Sequence, residues 1–327
     1  MSNLFSKGVV SNIGIGTWQM GLKGWGKDYD EDSVIEAFKY AVNNGINFID
    51  TAEIYGAGNS EILIGQSLET LERKNIIIAT KVAGYNATPS RVFKSIKGSL
   101  RRLKIDYIDL YQIHWEPSIY TNLEDLFHSM EKLARDGLIN HIGVSNFSYE
   151  MLKRTSGYLK DYNIESNQIK FNIVERPDDN LISYMNSNNI KLIAWSPLGQ
   201  GFLSGKYSFT QKPKGGIRKV NYLFSDKNLK RFDPLLKTLK EISSNKRVSV
   251  TQIVLAYETE LNVLPIPGFK NMKQAEEISG ALKVHLTSEE KNSIEKSLEV
   301  TGIIKVKETM FPRIIPNTFV RVMSLFL

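Results

Sequence analysis

The 327-residue chain contains no cysteine. Disulfides, thiolate nucleophiles and cysteine-bound metals are therefore excluded. Histidine is scarce: His114, His128, His141 and His285 are the only four. They show no ligand spacing and no His-Glu-x-x-His pattern, so no metal site is expected. No uninterrupted apolar run is long enough to cross a bilayer, and Met1–Val10 has no secretory core. The expectation is a soluble, cytoplasmic protein with no membrane partner. A third glycine is also missing where it would matter. Gln19 follows Gly14 and Gly16, and Glu61 follows Gly56 and Gly58, at the position where G-x-G-x-x-G needs glycine. A Walker A reading of Gly199, Gly205 and Lys206 fails as well, since it is one residue too long and Tyr207 replaces the Ser or Thr.

What is present suits a large globular unit. Hydrophobic residues make up 42% of the chain, and the formal net charge is +7. The densest basic clusters are Lys97–Arg101–Arg102–Lys104 and Lys212–Lys214–Arg218–Lys219. No binding motif accompanies them, so they read as solvated helix faces and a loop, with no nucleic-acid partner. A basic balance also suits an anionic ligand such as a phosphorylated cofactor.

Strand and helix patterns alternate almost throughout. Strands are expected at Ile13–Thr17, Ile46–Asp50, Ile76–Thr80, Tyr107–Ile113, His141–Val144, Glu165–Lys170, Ile190–Ala194 and Val263–Pro265. Between them, helices are marked by cap residues. Asp30, Asn122, Ser148, Asp178, Ser249 or Thr251, and Asn271 open helices, Thr88–Pro89–Ser90 opens a third one, and Thr287–Glu290 has capping-box character. The connection from Leu198 to about Lys230, rich in Gly and Lys, reads as a surface loop. Eight strands alternating with helices predict an α/β fold, a (β/α)8 TIM barrel with extra helices and a C-terminal extension. Residues 1–300 form the barrel domain in this reading, and 301–327 an apolar tail packed on or near it. A doubly wound open sheet is the competing fold.

Four polar residues stand at the ends of the early strands: Asp50, Tyr55, Lys81 and His114. Parallel barrel strands open at one face, so these four would share a pocket. Taken singly, each has a plain explanation: a cap, a packing ring, a solvated strand end, a satisfied imidazole. Together they fit one chemistry. A tyrosine has a pKa of about 10, and the Lys81 ammonium is expected to lower it. Asp50 would hold Lys81 charged, and His114 would share a carbonyl oxygen with Tyr55. Such a site protonates a carbonyl oxygen as hydride reaches carbon. No side chain donates hydride, so an external cofactor must.

These residues and their surroundings resemble the aldo-keto reductase family. Asp50–Thr51–Ala52–Glu53–Ile54–Tyr55–Gly56, Ala79–Thr80–Lys81 and Gln112–Ile113–His114–Trp115 are similar to its first motifs. Gly143–Val144–Ser145–Asn146–Phe147, Trp195–Ser196–Pro197–Leu198–Gly199–Gln200–Gly201 and Ile266–Pro267–Gly268 are similar to the later ones. The resemblance covers about residues 10 to 300. It implies an NADP-dependent reductase, monomeric or weakly associated, acting on the CH–OH group of donors and reducing aldehydes or ketones with NADPH. NADPH would be preferred and NADH possible. Tyr55 would be the general acid, tuned by Lys81 and Asp50, with His114 orienting the carbonyl. Ser145, Asn146 and Gln168 match positions that hold the nicotinamide carboxamide, and Trp195 stands where an aromatic stacks on that ring. Gly16, Thr17, Trp18, Ser196, Leu198, Gln200 and Gly268 complete the implied cofactor contacts. Lys270 and Asn271 match the 2′-phosphate site, and Gln274 and Glu277 the adenosine end. Ile278 stands where many members carry Asn against the adenine.

Trp18, Trp25, Tyr85 and Trp115 follow strand ends and are expected to line the mouth for a small-molecule carbonyl substrate, packing being the alternative. The tail is read as a strip on the barrel wall, against a lid or a subunit contact. Two other functions compete with reduction: a nucleotide-binding regulatory or redox-sensing subunit with little turnover, and a barrel hydrolase or isomerase. The second lacks a metal cluster or paired carboxylates. Retention of His114 with the other three favours turnover over the first.

Overall fold

The computed structural model describes residues 10–21, 30–213, 218 and 221–307. Trp25 and tail residues 308–327 lie outside them. Eight parallel strands form one sheet in ascending chain order: β1 (Ile15–Gly16), β2 (Phe48–Asp50), β3 (Ile77–Val82), β4 (Ile108–Ile113), β5 (Ile139–Ser145), β6 (Ile164–Lys170), β8 (Lys191–Trp195) and β9 (Leu264–Pro265). The ends of the sheet meet. Gly14 N donates to Pro265 O at 2.9 Å and Gly16 N to Pro267 O at 3.0 Å, which closes the barrel.

That seam explains two glycines. A Cβ on Gly14 would lie 2.8 Å from Phe48 Cδ1, and one on Gly16 would lie 2.7 Å from Ile266 O. Only a bare backbone fits so closely.

The pleat of the strands sorts their residues into layers. Phe48, Ile77, Ala79, Leu110, Ile193, Leu264 and Ile266 form an apolar plug inside the barrel. Two residues further along the same faces stand Asp50, Lys81, Gln112 and Trp195. The plug therefore floors a polar layer at the C-terminal end of the strands. Side chains on the opposite strand faces, among them Ile49, Ile78, Tyr111, Val144 and Ile169, pack against the helices.

The helices α1 (Glu31–Asn43), α2 (Asn59–Leu68), α3 (Val92–Leu103), α4 (Leu123–Arg135), α5 (Tyr149–Ser156), α6 (Asp179–Ser187), α9 (Val250–Glu260) and α10 (Met272–Ala281) alternate with the strands. Additional helices are α7 (Asp226–Arg231), α8 (Asp233–Lys246) and α11 (Ser288–Thr301). Most expected caps are in place. Asp30, Asn122, Ser148, Asp178 and Asn271 each accept a backbone N–H of the first turn. Ser249–Gln252 and Thr287–Glu290 form full capping boxes.

Three expectations need correction. Regular helix α3 begins at Val92, later than Thr88–Ser90, although Thr88 caps the turn that leads into it: its Oγ1 accepts from Arg91 N at 3.3 Å and its O from Val92 N at 3.0 Å. Lys81 lies within β3 rather than beyond it, since pairing with β4 continues through Val82. The segment after Leu198 is only partly a surface loop. Its Phe202, Leu203, Leu223, Phe224 and Leu229 are buried with α8 and α9 in a second apolar cluster. The alternation of small and basic residues hides these anchors in the sequence. The structure also adds a two-stranded parallel ribbon. β7 (Glu175–Arg176) pairs with β10 (Ile304–Lys305), which fixes the start of the tail beside the end of β6.

The seam gives a direct expectation. Gly14→Ala should destabilise the fold by about 1–3 kcal/mol, through overpacking against Phe48. Urea unfolding followed by tryptophan fluorescence measures it, and an unchanged midpoint would show that the seam has slack.

Candidate active site

The polar layer converges on one carboxylate. Asp50 ends β2 and is 1% exposed. Its Oδ2 accepts from Lys81 Nζ at 2.6 Å. Its Oδ1 accepts from Gln168 Nε2 at 2.6 Å and Gln112 Nε2 at 3.2 Å. Lys81 is fully buried and makes two further bonds, to Thr51 O at 2.9 Å and to the Tyr55 hydroxyl at 3.1 Å. Each donor of the ammonium thus has an acceptor, as a buried charge requires.

Tyr55 reaches this point through a tight turn. Gly56, Ala57 and Gly58 follow it with φ of 57°, 54° and 94°, in the left-handed region. A Cβ on Gly56 would sit 2.0 Å from Gly21 O, so the chain passes there only with glycine. Glu53, two residues earlier, accepts from Ala83 N at 2.8 Å and from Asn86 Nδ2 at 2.9 Å. It thereby ties the Tyr55 segment to the loop after β3. The His114 ring meets the Tyr55 ring edge-on, with centroids 5.6 Å apart.

Burial sets the acid strengths. Desolvation pushes the Tyr55 phenol above its ordinary pKa, and the Lys81 ammonium pulls against it without overcoming it. The expectation of a net lowering is therefore corrected in direction: burial outweighs the cation, and Tyr55 holds its proton at neutral pH. Burial disfavours the Lys81 charge, but Asp50 and then Tyr55 more than offset this and raise its pKa. His114 is driven well below the ordinary imidazole value, first by burial and then by Lys81, so it is neutral at pH 7. Its Nδ1 is buried without a hydrogen-bond partner.

The other expected residues surround this centre. Ser145 Oγ donates to Gln168 O at 2.8 Å. Asn146, at φ 56°, donates from Nδ2 to His114 O and to Ser145 Oγ, each at 3.0 Å, and its Oδ1 accepts from Trp195 Nε1 at 3.0 Å. Thr17 Oγ1 donates to Asp50 O at 2.9 Å, and Thr17 receives Ser60 Oγ; its side chain braces the ends of β1 and β2. Gly16 and Gly268 lie back to back, a Cβ on Gly268 falling 3.1 Å from Gly16 O. Trp18 is half-buried in the turn after β1. Ser196 and Gln200 have φ of 60° and 57°, and Leu198 lies between them. Trp115 is buried against His114, with centroids 5.1 Å apart, and against Tyr85 at 5.8 Å.

Further out, Lys270 N donates to Gln274 Oε1 at 2.9 Å, and Gln274 N to Asn271 Oδ1 at 3.1 Å. Asn271 and Gln274 thus cap α10. Glu277 is half-buried on that helix, and Ile278 is buried in the shell around the barrel. The sequence reading missed Arg218. It donates to Gln200 O at 2.9 Å, and its charge, after burial, lowers the pKa of Lys270. No motif surrounds it, so nothing in the local sequence separates it from its basic neighbours. Gln112 was missed too, although a polar residue two before His114 in an apolar strand was a usable signal.

Known proteins resemble this chain in sequence and fold. The model of the aldo/keto reductase family matches residues 12–299. An uncharacterized oxidoreductase of Mycobacterium tuberculosis is 35% identical over 292 residues, 88% of this chain and 89% of that protein. The chloroplastic pyridoxal reductase of Arabidopsis thaliana is 32% identical over 306 residues, 88% of this chain and 82% of that one. Among solved structures, the aldo/keto reductase from Klebsiella pneumoniae in complex with NADP and acetate superposes with a TM-score of 0.74 at 25% identity, covering 94% of this chain and 98% of that one.

The neutral His114 carries a stability signature. Unfolded histidine titrates near a pKa of about 6.5, and the folded value is lower. Between the two, the unfolded chain binds more protons, so stability falls as the pH drops below the unfolded value. The melting temperature should therefore decline between about pH 7.5 and about pH 5.5, with a smaller decline in His114→Gln. Equal declines would show that His114 does not contribute.

Proposed function

Because this chain belongs to the aldo/keto reductase family, we propose that it reduces an aldehyde or ketone to the alcohol with NADPH, reversibly, so that in the other direction it acts on a CH–OH donor. The observation that carries this is the 3.1 Å bond between Lys81 Nζ and the Tyr55 hydroxyl, within a buried layer that also holds Asp50. A phenol, an ammonium and a neutral imidazole at the mouth of a barrel can take up the charge of a reacting carbonyl.

The residues fit the cofactor. Trp195 offers an aromatic face, held by Asn146. Burial and then the Arg218 charge lower the pKa of Lys270, and a phosphate would relieve the repulsion between the two cations. Pyridoxal reductase among the relatives and the NADP complex among the structures support the same reading. When bound, NADPH supplies the hydride. Tyr55 donates its proton to the carbonyl oxygen. Burial keeps that proton in place beforehand, and Lys81 stabilises the phenolate once charge has moved. Asp50 keeps Lys81 charged. Neutral His114 orients the carbonyl without adding a second cation, and Tyr85 and Trp115 shape the mouth. The complete set of four favours turnover over a regulatory or redox-sensing role.

Two outcomes test this. Mixed with NADPH and a panel of aldehydes, the protein should consume NADPH absorbance, and Tyr55→Phe should lower kcat by about 100-fold or more. Turnover unaffected by that substitution would remove Tyr55 from the mechanism. Lys270→Met should weaken NADPH binding about tenfold while leaving NADH nearly unchanged, as followed by fluorescence titration. Equal losses for both nucleotides would place Lys270 away from the 2′-phosphate.

A further inference from the structure

We infer that Gln112 is a positioning residue of the proton-donating site, clamping Asp50 so that Lys81 stays against Tyr55. This rests on the reductase reading above. Gln112 lies in β4 on the same face as Leu110 and His114, between the apolar plug and the mouth, and is fully buried. A buried amide is costly unless its hydrogen bonds are made. Gln112 makes one, from Nε2 to Asp50 Oδ1 at 3.2 Å, and its Oε1 has no partner. A methionine would fill the same space without that cost. What the amide adds is a donor aimed at the carboxylate. Reversing the amide would set oxygen against oxygen, so an ionised Asp50 fixes its direction.

The two oxygens of Asp50 divide the work. Oδ2 takes Lys81, and Oδ1 takes Gln168 and Gln112. Gln168 is also expected to meet the nicotinamide carboxamide, so it serves two partners. Gln112 serves Asp50 alone, so Oδ1 keeps a donor with no cofactor duty. With Oδ1 held, the carboxylate cannot rotate and draw Lys81 away from the phenol. The neighbouring strands are shaped around this. Lys81 and Gln112 are register partners on β3 and β4, as are Gln112 and Gly143 on β4 and β5. A Cβ on Gly143 would lie 3.0 Å from Gln112 Cγ and 2.5 Å from Ser166 Oγ. Glycine there leaves room for the Gln112 stem.

The test uses the full chain and two variants, Gln112→Met and Gln112→Glu, with kcat, KM and melting temperature measured for each. The titratable groups around position 112 are Asp50 at the end of β2, Tyr55 after it, Lys81 on β3 and His114 after β4. Gln112→Met should lower kcat about tenfold, the worth of one hydrogen bond to a charged group, while KM for NADPH changes by no more than about twofold. Gln112→Glu should lose more at neutral pH and recover relative to Gln112→Met as the pH falls, because a protonated glutamic acid can again donate to Asp50. A filler role would move neither the kcat-to-KM split nor the relative pH profile. Wild-type kcat in Gln112→Met, or a Glu variant that tracks the Met variant at every pH, overturns the inference. NADPH turnover by the unmodified protein that Tyr55→Phe lowers by about 100-fold or more supports the underlying reading independently; its absence overturns both.

Discussion

The buried ion pair between Asp50 and Lys81 is the constraint on which the site depends. Two charges taken out of water lose hydration worth several kcal/mol each, and attraction alone does not reliably offset the loss. Here each charge is saturated with partners. Lys81 bonds Asp50, Thr51 O and Tyr55; Asp50 bonds Lys81, Gln168 and Gln112. The polar layer of the barrel therefore behaves as a single unit. The bonded members come from β2 and the segment after it, β3, β4 and β6, and each holds another in one geometry.

The same burial sets the protonation state of each group in the layer. Desolvation raises the Tyr55 phenol and lowers the His114 imidazole, in each case toward the neutral form. Lys81 is held charged by Asp50 despite burial. A neutral phenol, a fixed cation and a neutral imidazole thus coexist in one layer. In the proposed reaction the cation acts on the product of proton transfer, the phenolate, more than on the starting phenol. That is where electrostatic preorganisation is useful.

The barrel makes this possible by packing two incompatible layers on the same strand faces. The apolar plug of Phe48, Ala79, Leu110 and Ile193 supports the polar layer from below, and the helices seal the outer faces. The seam at Gly14 and Gly16 brings the first strand against the last. The chain after β8 is anchored through Phe202, Leu223 and Phe224, which places Arg218 beside Gln200 and within electrostatic reach of Lys270.

Much of this was legible in the chain itself. Periodicity and caps marked the eight strands and most helix starts, because both follow from local rules of spacing and hydrogen bonding. Asp50, Tyr55, Lys81 and His114 were visible because polar residues at the ends of apolar runs break a pattern. Tertiary structure alone decided the rest. Whether burial or Lys81 governs the Tyr55 phenol depends on how much water the fold excludes, which no spacing records. Gln112 and Arg218 acquire their partners across strands or loops far apart in sequence, and the pairing of β7 with β10 joins segments more than a hundred residues apart. Sequence fixes which chemistry is available; the closed barrel fixes which groups touch and which charges survive, since both depend on distance and solvent and not on order along the chain.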